Sequence, residues 1–162
     1  MTDLPRLDSV RPTGPCRLRV KWRNGRSEAI DLTGVIRAFP PFAALGDPEA
    51  FRRVTVTGHG TGIAWANGLD YSAESLHEIA EVQRVMSDRE FRRWQKEMAL
   101  SNAEVATIFG VAKSTVKNYH ARKTLPVAFR ITCRQIKREP ELFYGLHRPR
   151  RAGRPPQSDA AE

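Results

Sequence analysis

The sequence predicts a two-domain protein, in which a small α+β domain of two hairpins with covering helices is followed by an all-α domain. In the first half, alternating apolar and polar residues separated by glycine-containing turns indicate the hairpins. In the second half, apolar residues at helical spacing follow residues that cap helices. The net charge of +9 is uneven, because residues 86–162 hold 16 Lys and Arg against 8 Asp and Glu, whereas residues 1–85 hold 11 against 10. This asymmetry indicates a polyanion-binding half beside a nearly neutral half with another task.

The composition divides the chain into four segments. Residues 1–15 contain three prolines and little apolar periodicity, and we interpret them as a mobile leader. Residues 16–84 form the predicted α+β domain, and residues 86–145 form the predicted helical domain. Residues 146–162 are rich in Pro, Arg and Ala, which is typical of a disordered basic tail.

The α+β domain opens with a strand whose two sides differ. Leu18, Val20 and Trp22 fall on one side, and Asn24-Gly25 then favours a hairpin turn. The basic residues of the other side, interpreted as a solvated face opposite Glu28 or Asp31, are Arg17, Arg19, Lys21 and Arg23. A second hairpin turns through the glycine-rich sequence GHGTG, and a helix capped by Ser72 follows it.

Two short helices joined by a tight turn are predicted between residues 100 and 123. Ser101 and Glu104 have the spacing of a capping box at the start of the first helix. Gly110 can adopt the left-handed conformation that ends this helix, because it has no Cβ. These two helices and their turn lie in the basic half of the sequence, residues 86–162.

The second short helix, from about residue 113 to residue 120, has two different sides. Val116 and Tyr119 share the side that would face the first helix. The opposite side carries Lys113, Ser114, Lys117 and Asn118. A small helix that buries one side and presents such polar groups on the other suits the major groove of a nucleic acid.

Apolar and turn residues of the first domain resemble those of a known family. They are Phe42, Leu45, Pro48, Phe51, Trp65, Asn67, Gly68, Asp70 and Leu76. Over residues 18–80 the chain resembles the bacterial family catalogued as domain of unknown function 2442. The resemblance implies no catalytic residue, since none is established for that family. Members of the family are similar to components of toxin–antitoxin-like gene pairs, and some carry a helix-turn-helix behind the domain. The resemblance implies the same arrangement here.

The two-helix stretch resembles the helix-turn-helix of the phage-repressor-like family. The matching framework residues are Leu100, Ala106, Gly110, Val111, Val116 and Tyr119. Two positions depart from the family pattern, because Asn102 stands where many members have Gln and His120 stands where an acidic residue is common. The resemblance implies an all-α phage-repressor-like bundle that binds double-stranded DNA.

Docking of that kind assigns two sets of DNA contacts. The residues expected to reach base edges are Lys113, Ser114, Lys117 and Asn118. The residues expected to contact phosphate are Asn102, Thr115, Arg122 and Lys123. Lys can donate to guanine and Asn can pair with adenine, whereas phosphate contacts set position and salt sensitivity.

Other classes of function have weaker signals. His59 in the GHGTG turn and Asp70 could form an acid–base pair, but such residues are more typical of turn chemistry, and we expect no enzyme. Only Cys16 and Cys133 are present, so the sequence predicts no disulfide framework, no metal site and a cytoplasmic location. No signal peptide or bilayer-crossing segment is predicted, and no cofactor is implied.

The sequence therefore predicts a sequence-specific DNA-binding transcriptional regulator. One motif makes few base contacts, so we expect a homodimer on a two-fold site. The first domain would supply a dimer or partner contact. The alternative is an antitoxin or adaptor that mainly binds a small toxin-like protein, with DNA binding secondary.

Overall fold

The chain divides between Arg84 and Val85 into two compact units in the computed structural model, which describes residues 4–148. The N-terminal unit combines helices with two small three-stranded antiparallel sheets. The C-terminal unit is helical over its described residues. The α+β class of the first half and the helical character of the second are therefore confirmed.

The first sheet contains strands β1 (Leu7–Gly14), β2 (Arg17–Trp22) and β3 (Ser27–Asp31) in the order β1-β2-β3. The alternation of β2 fixes its orientation, since Leu18 and Val20 are fully buried while the basic residues between them are exposed. The register places Val20 opposite Val10 on one side and Glu28 on the other.

The expected mobile leader over residues 1–15 is wrong for most of its length. Residues 7–14 form β1, which pairs with β2, and Leu7 is only 1% exposed. Pro12 does not prevent this pairing, because β1 is an edge strand, where a missing backbone donor is tolerated. The prolines masked a strand whose apolar residues are few.

The connection after the first sheet is more regular than its sequence indicates. It contains α1 (Thr33–Ala38), a 3-10 helix (Pro40–Gly46) and α2 (Pro48–Arg52). The side chain of Asp47 accepts hydrogen bonds from the backbone N–H groups of Glu49 and Ala50. Asp at the N-cap followed by Pro in the first turn is a strong helix start, even for so short a helix.

The second sheet contains β4 (Thr55–Val56), β5 (Gly62–Ala64) and β6 (Asp70–Ser72) in that order. A short 3-10 helix (Gly58–Gly60) lies in the turn between β4 and β5. The predicted second hairpin is thus present, but β6 extends it to three strands. The three residues of β6 show too little alternation to be recognised before the helix that follows.

Helix α3 (Ala73–Gln83) starts at Ser72, whose hydroxyl accepts from the N–H of Ser75. Leu76 and Ala80 bury its inner side in the core of the N-terminal unit. At the C-terminus of α3, the side-chain amide of Gln83 bonds both backbone groups of Asp31, at 2.6 and 2.9 Å. This amide closes part of the exposed edge of β3.

The C-terminal unit contains five helices within the described residues. They are α4 (Asp88–Glu97), α5 (Asn102–Phe109), α6 (Lys113–Tyr119), α7 (Val127–Arg138) and α8 (Pro140–Leu146). Phe91, Val105, Val116 and Cys133 lie at the centre of its core. From residue 149 onward, the predicted basic tail lies outside the described residues. Within residues 4–148, no helix combines the length and apolar character that crossing a bilayer requires.

Candidate nucleic-acid interface

The residues that begin and end α5 determine the turn between α5 and α6. Ser101 and Glu104 form the complete capping box at the start of α5. Gly110 ends this helix with φ 62° and ψ 33°, and the N–H of Val111 then bonds the carbonyl of Ala106 at 3.0 Å. This bond pattern is that of a Schellman motif, which reverses the chain within a few residues. The turn therefore fixes where α6 begins.

The two sides of α6 differ in burial as their helical positions require. Val116 is 0% exposed, and Tyr119 is half-buried with its ring 4.7 Å from that of Phe129 on α7. The residues proposed as base readers, all exposed, are Lys113, Ser114, Lys117 and Asn118. The structure thus brings these four side chains together on the solvent side of one short helix.

An aromatic cluster holds this helix on the bundle. The rings of Phe109 on α5 and Phe129 on α7 stack with their centroids 3.6 Å apart. Phe91 on α4 meets Phe129 edge-on at 5.5 Å. Aromatic contacts between four helices therefore hold α6 against the bundle.

The residues proposed as phosphate contacts are more dispersed. Arg122 and Lys123 are exposed just beyond α6, and the Arg122 guanidinium lies 5.7 Å from the Tyr119 ring centroid. Thr115, on α6, is half-buried. Asn102 is half-buried at the start of α5. The four therefore lie on two helices and on the segment that follows α6.

Sequence reasoning missed a polar link through Gln95. This α4 residue is only 9% exposed, and its Nε2 donates to the carbonyl of Leu100 at 2.9 Å and to Asn102 Oδ1 at 2.8 Å. Its Oε1 lies 2.8 Å from His120 Nε2. One side-chain amide thus connects the start of α5 with the end of α6. The signal in the sequence was a glutamine within the apolar stripe of α4.

His120 occupies a constrained position at the end of α6. Its ring meets that of Phe91 edge-on at 5.2 Å, and the Arg92 guanidinium donates to its backbone carbonyl. The pKa of His120 lies below its ordinary value, chiefly because burial disfavours the imidazolium and also because of the Arg92 charge. Since Gln95 Oε1 can only accept, the proton of the neutral ring is on Nε2.

Charged residues from the middle of α5 to the end of α7 are all positive. Residues 105–138 contain eight Lys and Arg and no Asp or Glu. Lys113, Lys117 and Lys123 form no ion pair with any other residue between 4 and 148, whereas Lys137 pairs with Glu97 at 2.7 Å. Exposed and uncompensated cations produce a positive potential that attracts polyanions.

His59 lies in the 3-10 helix between β4 and β5, and Asp70 begins β6. His59 is exposed with φ 57°, and within residues 4–148 no hydrogen bond or ion pair joins it to Asp70. Burial raises the pKa of the Cys133 thiol to about 12, so this cysteine is not a thiolate at neutral pH. The described residues also contain no group of three or more His, Cys, Asp or Glu side chains that could hold a metal ion.

Comparison with known families concerns mainly the N-terminal unit. Residues 7–81 match a family model described as "Protein of unknown function (DUF2442)". The match confirms the resemblance predicted from residues 18–80, and it also includes β1. It carries no assigned activity to the chain.

The chain is also similar to a solved structure. This is the crystal structure of a "Putative DNA Binding Protein" from Nitrosomonas europaea ATCC 19718. The sequences are 26% identical, and the similarity covers 94% of this chain and 100% of that one with a TM-score of 0.48. No curated protein gives a match.

Proposed function

We propose that the protein is a sequence-specific DNA-binding regulator of transcription, in which α5, the turn and α6 act as a phage-repressor-like helix-turn-helix. One observation carries the proposal: α6 presents four exposed polar side chains on one side, inside a stretch of 34 residues (105–138) without a carboxylate. A helix of this kind can enter the major groove, where base edges present distinct patterns of donors and acceptors.

Each side chain has a role in this proposal. Lys113 and Lys117 donate to guanine O6 or N7, and Asn118 pairs in bidentate fashion with adenine. Ser114 can bond to any base edge. The proposed phosphate contacts, which carry no sequence information directly, are Asn102, Thr115, Arg122 and Lys123. No catalysis, cofactor or metal enters the mechanism.

A dimer follows from the small number of readers. Four side chains on one helix specify only a few base pairs, so a homodimer on a two-fold site, with half-sites about one helical turn apart, would supply the remaining specificity. In this proposal the N-terminal unit provides the contact between copies or with a regulatory partner. The protein would act on DNA in the cytoplasm.

The test is selection of DNA from a random duplex library by the full-length protein at about 150 mM salt, which suppresses non-specific electrostatic binding. The proposal requires that a defined sequence is enriched. Asn118→Ala should then weaken binding to that sequence by about 1–3 kcal/mol and relax the preference at one position. Gln135→Ala removes an exposed amide from α7 and serves as the control. An Asn118→Ala protein that selects as wild type does would contradict the assignment.

A second candidate is an antitoxin or adaptor whose main partner is a small toxin-like protein. Exposed apolar side chains favour it, since Val127 and Ile131 lie one turn apart on α7 and are 56% and 42% exposed. If the full chain copurifies stoichiometrically with a small protein and selects no DNA sequence, this function replaces the first. If residues 86–162 alone select a sequence, the regulator is supported.

A further inference from the structure

The outer face of the β1-β2-β3 sheet, hereafter the basic sheet face, carries a row of cations. Arg17, Arg19 and Lys21 occupy alternate positions of the central strand β2 and are exposed. Alternate residues of a strand are about 7 Å apart. Since this spacing is shorter than the Debye length of about 8 Å at physiological salt, the fields of neighbouring cations add.

A fourth cation increases this charge. Arg11 of β1 is exposed and lies directly opposite Arg19 in the register, while Ala29 of β3 is opposite Arg19 on the other side. Like charges directly opposite each other on a sheet are unfavourable. The centre of the basic sheet face therefore holds two facing arginines where a stabilising pair would contain a carboxylate.

Carboxylates compensate the ends of the row but not its centre. Lys21 pairs with Asp8 and Arg17 pairs with Asp31, each at 3.0 Å. Arg11 and Arg19 form no ion pair with any residue in the described range 4–148. Their two guanidinium groups are thus available to an external anion, although the whole N-terminal half is nearly neutral.

We propose that the basic sheet face binds the phosphodiester backbone of duplex DNA, with Arg11 and Arg19 as its phosphate contacts. The guanidinium group offers planar paired donors that match phosphate oxygens. An anion between the two arginines also removes their mutual repulsion. The site would give the N-terminal unit its own contribution to DNA affinity, independent of base reading by α6.

The side chains around the arginines favour this partner over others. Apart from Arg17 and Lys21 on β2, their neighbours in the register include the small residues Ser9, Ser27 and Ala29. Trp22, the aromatic residue of β2, is 3% exposed and lies on the inner side. Single-stranded nucleic acids require aromatic platforms for stacking, and protein interfaces depend on large apolar or aromatic anchors. The phosphates of duplex DNA are the same at every nucleotide, and binding them requires only positive charge and hydrogen-bond donors.

The experiment compares two full-length variants that lose the same charge. Arg11→Gln with Arg19→Gln removes the proposed contacts, whereas Arg37→Gln with Arg53→Gln removes two exposed arginines of α1 and the end of α2. Affinity for a random-sequence duplex is measured between 50 and 200 mM salt. Each lost phosphate contact lowers the slope of log K against log salt by about 0.9, so we expect a decrease of nearly two for the first variant and a much smaller one for the control.

Further variants separate the possible outcomes. Arg11→Lys with Arg19→Lys keeps the charges and should retain most of the slope. Equal slopes for the two charge-matched variants would overturn the proposal. The proposal would also be overturned if Arg11→Gln with Arg19→Gln lost binding to polyglutamate, an acidic polypeptide, but kept wild-type binding to duplex DNA. The same comparison is repeated in a protein that also carries Lys117→Ala and Asn118→Ala, which remove two proposed base contacts. The contribution of Arg11 and Arg19 to the salt slope should persist there, although sequence preference is lost. Failure of the proposed regulator function is thereby distinguished from failure of this site.

Urea unfolding of the same proteins checks that each variant is folded. Removal of two facing like charges should leave the unfolding midpoint of the Arg11→Gln, Arg19→Gln variant no lower than that of wild type. With the midpoint unchanged, a reduced salt slope reports lost phosphate contacts. A slope that stays at the wild-type value in this folded variant counts against the basic sheet face as a DNA site.

Discussion

Gln95 Nε2 donates a hydrogen bond of 2.8 Å to Asn102 Oδ1, across the gap between α4 and the start of α5. The other end of the same amide bonds His120. Asn102 and His120 are the two positions at which the chain departs from the phage-repressor-like pattern, so one buried side chain connects both departures. The bond uses the Asn102 oxygen as an acceptor, so in the proposed DNA complex the donor to a phosphate would be its NH₂ group.

Gln95→Ala should destabilise the C-terminal unit by about 1–3 kcal/mol, because it leaves the buried carbonyl of Leu100 and the half-buried side chain of Asn102 without their partner. The measurement is urea unfolding followed through NMR resonances of residues 85–148. Gln135→Ala, at an exposed site on α7, should change stability by no more than about 0.5 kcal/mol. Equal effects of the two substitutions would show that the Gln95 bonds contribute nothing to stability.

Gly110→Ala should destabilise the same unit by about 1–2 kcal/mol, because a Cβ is unfavourable in the left-handed conformation. Space is not the cause, since no atom lies within 4 Å of a Cβ built at Gly110. The matched control is Gly145→Ala within α8, which also meets no atom within 4 Å but has no positive φ. That control should stabilise by about 0.5–1 kcal/mol. The two substitutions are therefore expected to shift the urea midpoint in opposite directions.

The local sequence signals that were sufficient are those with short-range causes. The capping box at Ser101 and the left-handed Gly110 depend on residues within four positions, and each is present as predicted. The alternation of β2 also identified its buried side correctly. Such features are readable from sequence because the partners are neighbours in the chain.

The features that were missed depend on distant partners. β1 is stabilised by pairing with β2, and its prolines concealed it because a sheet edge tolerates them. Gln95 resembles an interruption of an apolar stripe until Asn102 and His120 are placed beside it. Arg19 was interpreted as solvated opposite an acidic residue, but the register places Arg11 and Ala29 beside it. Register between strands cannot be obtained from one strand alone.

Lys123→Ala should weaken binding to all duplex sequences alike and reduce the salt slope by about one unit, because Lys123 is an exposed cation expected to contact phosphate. The measurement is affinity for the selected site and for a random duplex at several salt concentrations. Lys137→Ala is the control, because that side chain is already paired with Glu97. A loss confined to the selected sequence would instead make Lys123 a base reader.

The low pKa of His120 makes the stability of the C-terminal unit dependent on pH. Because the folded chain holds this histidine below its ordinary pKa of 6.5, the unfolded chain takes up the proton first as pH falls. The contribution to stability is therefore complete above the ordinary pKa and is lost as pH falls from there through the lowered folded-state value. His120→Gln, which does not titrate, should lose less stability than wild type between pH 7.5 and pH 5, measured by the unfolding midpoints of residues 85–148. His59→Gln, at an exposed site in the N-terminal unit, should leave the wild-type pH dependence intact. If His120→Gln keeps that dependence as well, His120 is not its source.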